Sequence, residues 1–163
     1  MQVLERLNIA LGRMTAWMTV AMVVVTFVIV VMRYAFDFGW IWLQETVTWM
    51  HAAVFMLAAA YTLARDEHVR VDVFYRGFSP EKQALIDALG AALFMIPVCV
   101  FLVWSSWDYV AVSWSIQESS REAGGLVFPF PSILKTFIPI MAITLIMQAL
   151  VMLARSIAIL RAS

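Results

Sequence analysis

Few side chains in this sequence are equipped for chemistry, and they lie far apart. There are two histidines and one cysteine. His51 sits inside an uncharged apolar run, 46–64, six residues or about 9 Å of helix rise beyond Glu45. His68 lies in the polar stretch Arg65-Asp66-Glu67-His68-Val69-Arg70-Val71-Asp72. A haem clamped by two histidines within an apolar bundle needs a second deep histidine, which this chain lacks. Cys99 is alone, so it forms no intrachain disulfide and says nothing about redox compartment. No Gly-rich phosphate loop, Ser/His/Asp grouping or Cys/His cluster occurs. The expectation is therefore no catalytic residue, no cofactor and no metal. The net charge of zero gives no reason to expect nucleic acid.

The other polar groups invite two readings each. Arg33, Glu45 and Asp108 flank apolar runs, either as an ion-pair cluster that fixes packing or as a surface for a partner. His51 is either an imidazole bonded across a helix contact or a proton-coupling group. Gln148 is expected to bond a neighbouring helix. The stretch 117–125, with Glu118, Arg121 and Glu122, is either a solvated loop or a docking surface.

The elements that must position these groups are long and apolar. Hydrophobic residues make up 64% of the 163 and charged residues 13%, against about 45–50% and about 25% in soluble domains. Every formal charge falls outside four windows, Met14–Met32, Thr46–Ala64, Ala88–Trp107 and Thr136–Ala154. An Arg, Lys or Asp at the centre of a membrane helix costs about 2.5–3.5 kcal/mol on insertion scales, which accounts for that exclusion. Nineteen residues coiled as a helix span about 28 Å, close to the hydrocarbon thickness of a bilayer. The fold class expected is an all-α membrane protein, one four-helix domain over 1–163 with spans near 14–33, 45–64, 87–108 and 135–155. No cleavable signal peptide is expected, because the first run is long enough to span.

Eight Lys/Arg residues lie in the amino-terminal stretch, the middle loop and the tail, and three in the first and third loops. Both termini and the middle loop are therefore expected in the cytoplasm. An apolar stripe from Val3 to Met18 carries the first helix back towards the amino terminus. Gly39 is the expected breaker after it. Ala52, Ala53, Ala58, Ala59 and Ala60 thin the second helix for close packing. The segment after it either lies along the inner interface or forms a short extended connector, which the alternation of Val69, Val71 and Val73 favours. Ser79-Pro80-Glu81 starts a helix that runs into the third span, and Pro97 kinks it. Trp40, Trp42 and Trp49, with Trp104, Trp107, Tyr109 and Trp114, form interfacial belts. Ser132 is the expected cap of the fourth helix, with Pro139 in or just after its first turns.

Several short motifs occur in a telling order. They are Arg33-Tyr34-Ala35-Phe36 after the first span, Trp42-Leu43-Gln44-Glu45 entering the second and His68-Val69-Arg70-Val71-Asp72 after it. Gly124-Gly125, Phe130-Pro131 and Pro139 follow. In these the chain resembles the small membrane subunit, DctQ type, of tripartite ATP-independent periplasmic (TRAP) transporters, over nearly its whole length. Leu57-Ala58-Ala59-Ala60 departs from that pattern, where a glycine is expected.

The resemblance implies a large multi-span subunit that carries solute and sodium, and a periplasmic binding protein that delivers an organic anion. The small subunit braces the large one and helps dock the binding protein. It implies a multi-pass protein of the bacterial inner membrane. Residues facing those partners are then expected among Arg33, Tyr34, Trp42, Glu45, His51, Asp72, Asp108, Glu118, Arg121 and Glu122. This agrees with spans too apolar to form a solute path by themselves. The alternatives are a membrane anchor for a redox enzyme and a small self-assembling, proton-coupled exporter.

Overall fold

The computed structural model describes residues 2–65 and 72–162, with side chains described for residue 10 and for residues 13–65 and 74–162. Among the described residues the chain is helical throughout apart from turns and loops. Helix α1 runs Gln2–Phe36, α2 Ile41–Ala64, α3 Asp72–Tyr75, α4 Pro80–Gly90, α5 Ile96–Ser115 and α6 Phe130–Ala162. A π segment, Ala91–Met95, joins α4 to α5 without a break. Four stretches are long and apolar enough to cross a membrane: Arg13–Phe36, Ile41–Ala64, Pro80–Ser115 and Phe130–Ala162.

The spans form an open row rather than a closed bundle. α1 lies along α2, α2 along α6, and α6 along α4, the π segment and α5. α1 and α6 touch only slightly. Contact is made through small side chains. Ala53 and Ala60 are buried on α2, and Ala84, Ala88, Ala91 and Cys99 on the third span. Small residues let backbones approach closely, which is how helices associate where lipid is as apolar as leucine. From Ala142 onward the buried residues of α6 fall into two stripes. Ala142, Ala149 and Ser156 recur at seven-residue steps; Thr144, Gln148 and Val151 lie on a second side. From Ala142 to Thr144 the helix turns by about 200° and from Gln148 to Ala149 by about 100°, so the two stripes face different neighbours. That is the geometry a central helix needs.

Several local expectations change. α1 ends in a turn whose left-handed residue is Asp37, φ 52°, rather than Gly39. The Phe38 N–H closes it by donating to the Met32 carbonyl at 3.1 Å. Pro97 acts through the π segment before it. Proline lacks an N–H and crowds the carbonyl four residues back, and the wider turn accommodates it. The Ile96 N–H accordingly reaches the Ala91 carbonyl, five residues back. Ser79 holds the N-cap position of α4 without a side-chain capping bond. α6 begins at Phe130, so Ser132 lies inside its first turn instead of capping it, and Pro139 is buried well within the helix. Residues 72–75, part of the stretch for which an extended connector was favoured over an interfacial segment, form one helical turn. His68, Val69, Arg70 and Val71 lie outside the described residues, as does the Asp72 side chain.

Candidate functional site

The densest polar structure gathers at the end of the row that carries the α1–α2 turn and the α5–α6 loop. It is built in two halves. The first is centred on Glu118. α5 ends in a Schellman turn: the Gln117 N–H donates to the Trp114 carbonyl at 3.3 Å and the Glu118 N–H to the Ser113 carbonyl at 3.1 Å. Gln117 takes the left-handed position, φ 49°. The turn swings the Glu118 side chain back towards the helices. Its Oε2 accepts from Lys135 Nζ at 2.5 Å and from Ser113 Oγ at 2.6 Å. The Lys135 ammonium also lies 4.0 Å from the centre of the Tyr109 ring. Ser132 Oγ sits 3.0 Å from Ser113 Oγ and 3.1 Å from the Ser113 carbonyl, and donates its one proton there. Both serines are fully buried. The Lys135 ammonium, then the Ser113 hydroxyl, hold the Glu118 carboxyl below the usual glutamate range.

The second half is centred on Glu45, one turn into α2. Its Oε1 accepts from Ser120 Oγ at 2.5 Å and its Oε2 from the Leu126 N–H at 2.6 Å. The Trp42 N–H, a donor that a helix start leaves unpaired, is taken by the Gly124 carbonyl at 3.0 Å. Ser120 and Leu126 are further joined by a backbone bond of 2.7 Å. Gly124 has φ 81°, and Gly125 is held tight. A Cβ on Gly125 would lie 2.5 Å from Ser120 Oγ and 2.6 Å from Glu45 Oε2. The loop is thus strapped over the ends of α2, α5 and α6. Two indoles add to the strap. Trp49 Nε1–H donates to the Phe130 carbonyl at 2.9 Å and Trp114 Nε1–H to Thr136 Oγ1 at 3.0 Å. A cleft of about 300 Å³ remains, lined by Glu45, Trp49, Glu118, Ser120 and Arg121 among others.

The structure therefore separates the expected interface residues. Glu45 and Glu118 are structural anchors turned into the chain. Arg33, Tyr34, Trp42, Asp108, Arg121 and Glu122 are exposed. Among the described residues no ion pair joins Arg33, Glu45 and Asp108, because serine and backbone donors already occupy the Glu45 carboxylate. His51, for which a bond across a helix contact was one of two readings, is exposed and lines a groove between α1 and α2. The anchors that sequence reasoning missed are Ser113, Ser120, Gly125, Ser132 and Lys135. Lys135, a charge five residues inside a helix of apolar residues, was the one visible signal.

At the opposite end, Tyr75 Oη–H donates to Asp87 Oδ2 at 2.7 Å. The Gln83 amide donates to the carbonyls of Tyr75 and Phe78, at 3.1 and 3.2 Å. These bonds tie α3 to α4. Among the described residues no group of three or more His, Cys, Asp or Glu side chains is placed to hold a metal ion. Several hydroxyls in the spans bond back to their own helix: Thr19 to the Thr15 carbonyl, Thr26 to Met22, Thr46 to Trp42 and Ser106 to Leu102.

Strapped ends on a row of small-residue contacts describe a part that holds shape. The profile of the family described as tripartite ATP-independent periplasmic transporters, DctQ component, matches residues 22–159. The chain belongs to that family. A curated relative is the C4-dicarboxylate TRAP transporter small permease protein DctQ of Vibrio cholerae serotype O1. It is 30% identical over 89 residues, which are 55% of this chain and 38% of that protein. As a DctQ-family chain it is a small membrane component of a transporter, with four spans.

Proposed function

We propose that the chain is the small, non-enzymatic membrane subunit of a sodium-coupled, binding-protein-dependent TRAP transporter for an organic anion. The family match over 22–159 is the observation that carries this reading. In this role the 163 residues work as one four-helix unit in the bacterial inner membrane. The unit braces a large multi-span subunit that holds the solute path. The hydroxyls folded back onto their own helices support a bracing role, since a path for an anion needs polar groups facing inward at depth.

The eight-to-three Lys/Arg asymmetry supports cytoplasmic termini and a periplasmic strapped end. Arg121 and Glu122, exposed in the loop, then face the solute-binding protein, and Arg33, Tyr34 and Asp108 are exposed towards the same end of the row. The name of the Vibrio cholerae relative makes a C4-dicarboxylate the first solute to try.

The test is deletion of this chain in its native host, followed by uptake of a labelled C4-dicarboxylate and of sugar acids. Uptake of one such anion is expected to fall to background and to return when the chain is restored. Unchanged uptake, with no large subunit recovered alongside the tagged chain, defeats the proposal. Charge reversal at Arg121 and Glu122 is expected to lower uptake several-fold while leaving the assembly intact.

A further inference from the structure

His51 is the one histidine within the four uncharged apolar windows. It is exposed from the chain along α2. Ten residues separate it from Ile41, the first residue of α2, and that rise of about 15 Å sets the ring well inside a hydrocarbon layer about 30 Å thick. The hydroxyls around it are engaged, Thr26 with the Met22 carbonyl at 2.7 Å and Thr48 towards the Gln44 carbonyl at 3.4 Å. Among the described residues the His51 ring has no hydrogen-bond partner. An imidazole in either charge state carries an N–H donor. Acyl chains offer no acceptor, and a polar group left facing them is costly. Beside the ring lies a groove of about 430 Å³, walled by Met22, Val23, Val47 and Thr48. One wall is α1, only 6% of whose apolar window is buried in the chain.

We propose that the α1–α2 groove seats a transmembrane helix of the large partner subunit, and that this helix presents a hydroxyl, amide or carboxyl side chain to His51. Lipid fills an apolar groove but leaves the imidazole unsatisfied; a polar side chain on a neighbouring helix satisfies it. Bonds of this kind join membrane helices and fix their register. The inference rests on the transporter-subunit reading and adds to it which face is covered and by what chemistry.

The experiment co-expresses the full-length, tagged chain with the large transporter subunit and places a photoreactive amino acid at Val23 or Thr48. Both positions are expected to crosslink to the large subunit. His51→Leu is expected to lower its recovery in mild detergent at least threefold. His51→Gln, which keeps a donor and an acceptor, is expected to retain more than half. Leucine inserts at least as well as histidine, and the amount of tagged chain in the membrane controls for it. Undiminished recovery with His51→Leu, or crosslinks only to lipid or to a second copy of the chain, overturns the inference and leaves the subunit reading standing. A wild-type chain that recovers no large subunit overturns both.

Discussion

The apolar windows of α1 and α6 have almost the same mean hydropathy, 2.4 and 2.3, yet 6% of the first and 33% of the second is buried within the chain. α1 shows Trp17, Val20, Val23, Val24 and Phe27 to its surroundings. α6 is covered on two sides and is tied to α5 through Ser132 and to the turn after α5 through Lys135. Hydropathy does not separate the two, because lipid and protein interior are equally apolar. What separates them is size and polarity along the stripe. α6 keeps Ala142, Thr144, Gln148, Ala149 and Ser156 where neighbours press close, whereas α1 carries bulky side chains that suit lipid or a partner's helix.

The widest gap between the two helices is expected when the small stripe of α6 is filled. Ala142→Leu with Ala149→Leu overpacks one face, at about 1–3 kcal/mol for each site. Thermal unfolding in detergent is expected to show a large drop in midpoint and a poor folded yield. Wild-type behaviour of the double variant would remove α6 from the centre of the row.

Next comes the strap. Glu118→Ala leaves the Lys135 ammonium without its carboxylate and Ser113 without its acceptor, for a loss of about 2 kcal/mol. Lys135→Met is expected to cost no more than that, and the two together less than the sum. Acid is expected to have a related effect. Glu118 ionises below the ordinary glutamate value of about 4.3 in the folded chain. Its stabilisation is thus complete above that value and disappears as pH falls through the lower, folded one. Melting between pH 7 and pH 3 is expected to show an acid-side loss that Glu118→Gln lacks.

Gly125→Ala is expected to cost about 1–2 kcal/mol, since its methyl group must push aside Ser120 and the Glu45 carboxylate. Faster proteolysis within 116–129 is its second readout. Smallest of all is Phe27→Leu on α1, expected within about 0.5 kcal/mol for the isolated chain. A larger loss there would mean that α1 is packed within the chain more tightly than its exposure implies.

Much of this architecture was legible. Charge exclusion located the four spans, and Ser79-Pro80-Glu81 located the start of the third. The alanines at 53 and 60 marked a contact. The site was less legible because its parts are ordinary residues made special by long-range approach. Ser113 and Ser132 are nineteen positions apart, and Glu45 meets Leu126 across eighty-one. No local pattern announces such pairs. Glu118 read as solvent-facing because its neighbours Ser119 and Arg121 are. The turn at Gln117, a left-handed residue that is not glycine, reverses its direction and is invisible to spacing. His51 admitted two readings from sequence, a bond across a helix contact or a proton-coupling group; the groove beside it required the helices' relative placement.

The order of synthesis meets the row in an awkward place. α2 and the α4–α5 stretch have no packed face in common, and both close on α6, the last of the four spans to leave the ribosome. Until it arrives, the newborn chain is a hairpin and a lone rod adrift side by side. A ribosome stalled before Phe130 would leave these two packing units joined by little more than the chain that runs between them, and membrane quality control would meet them half assembled.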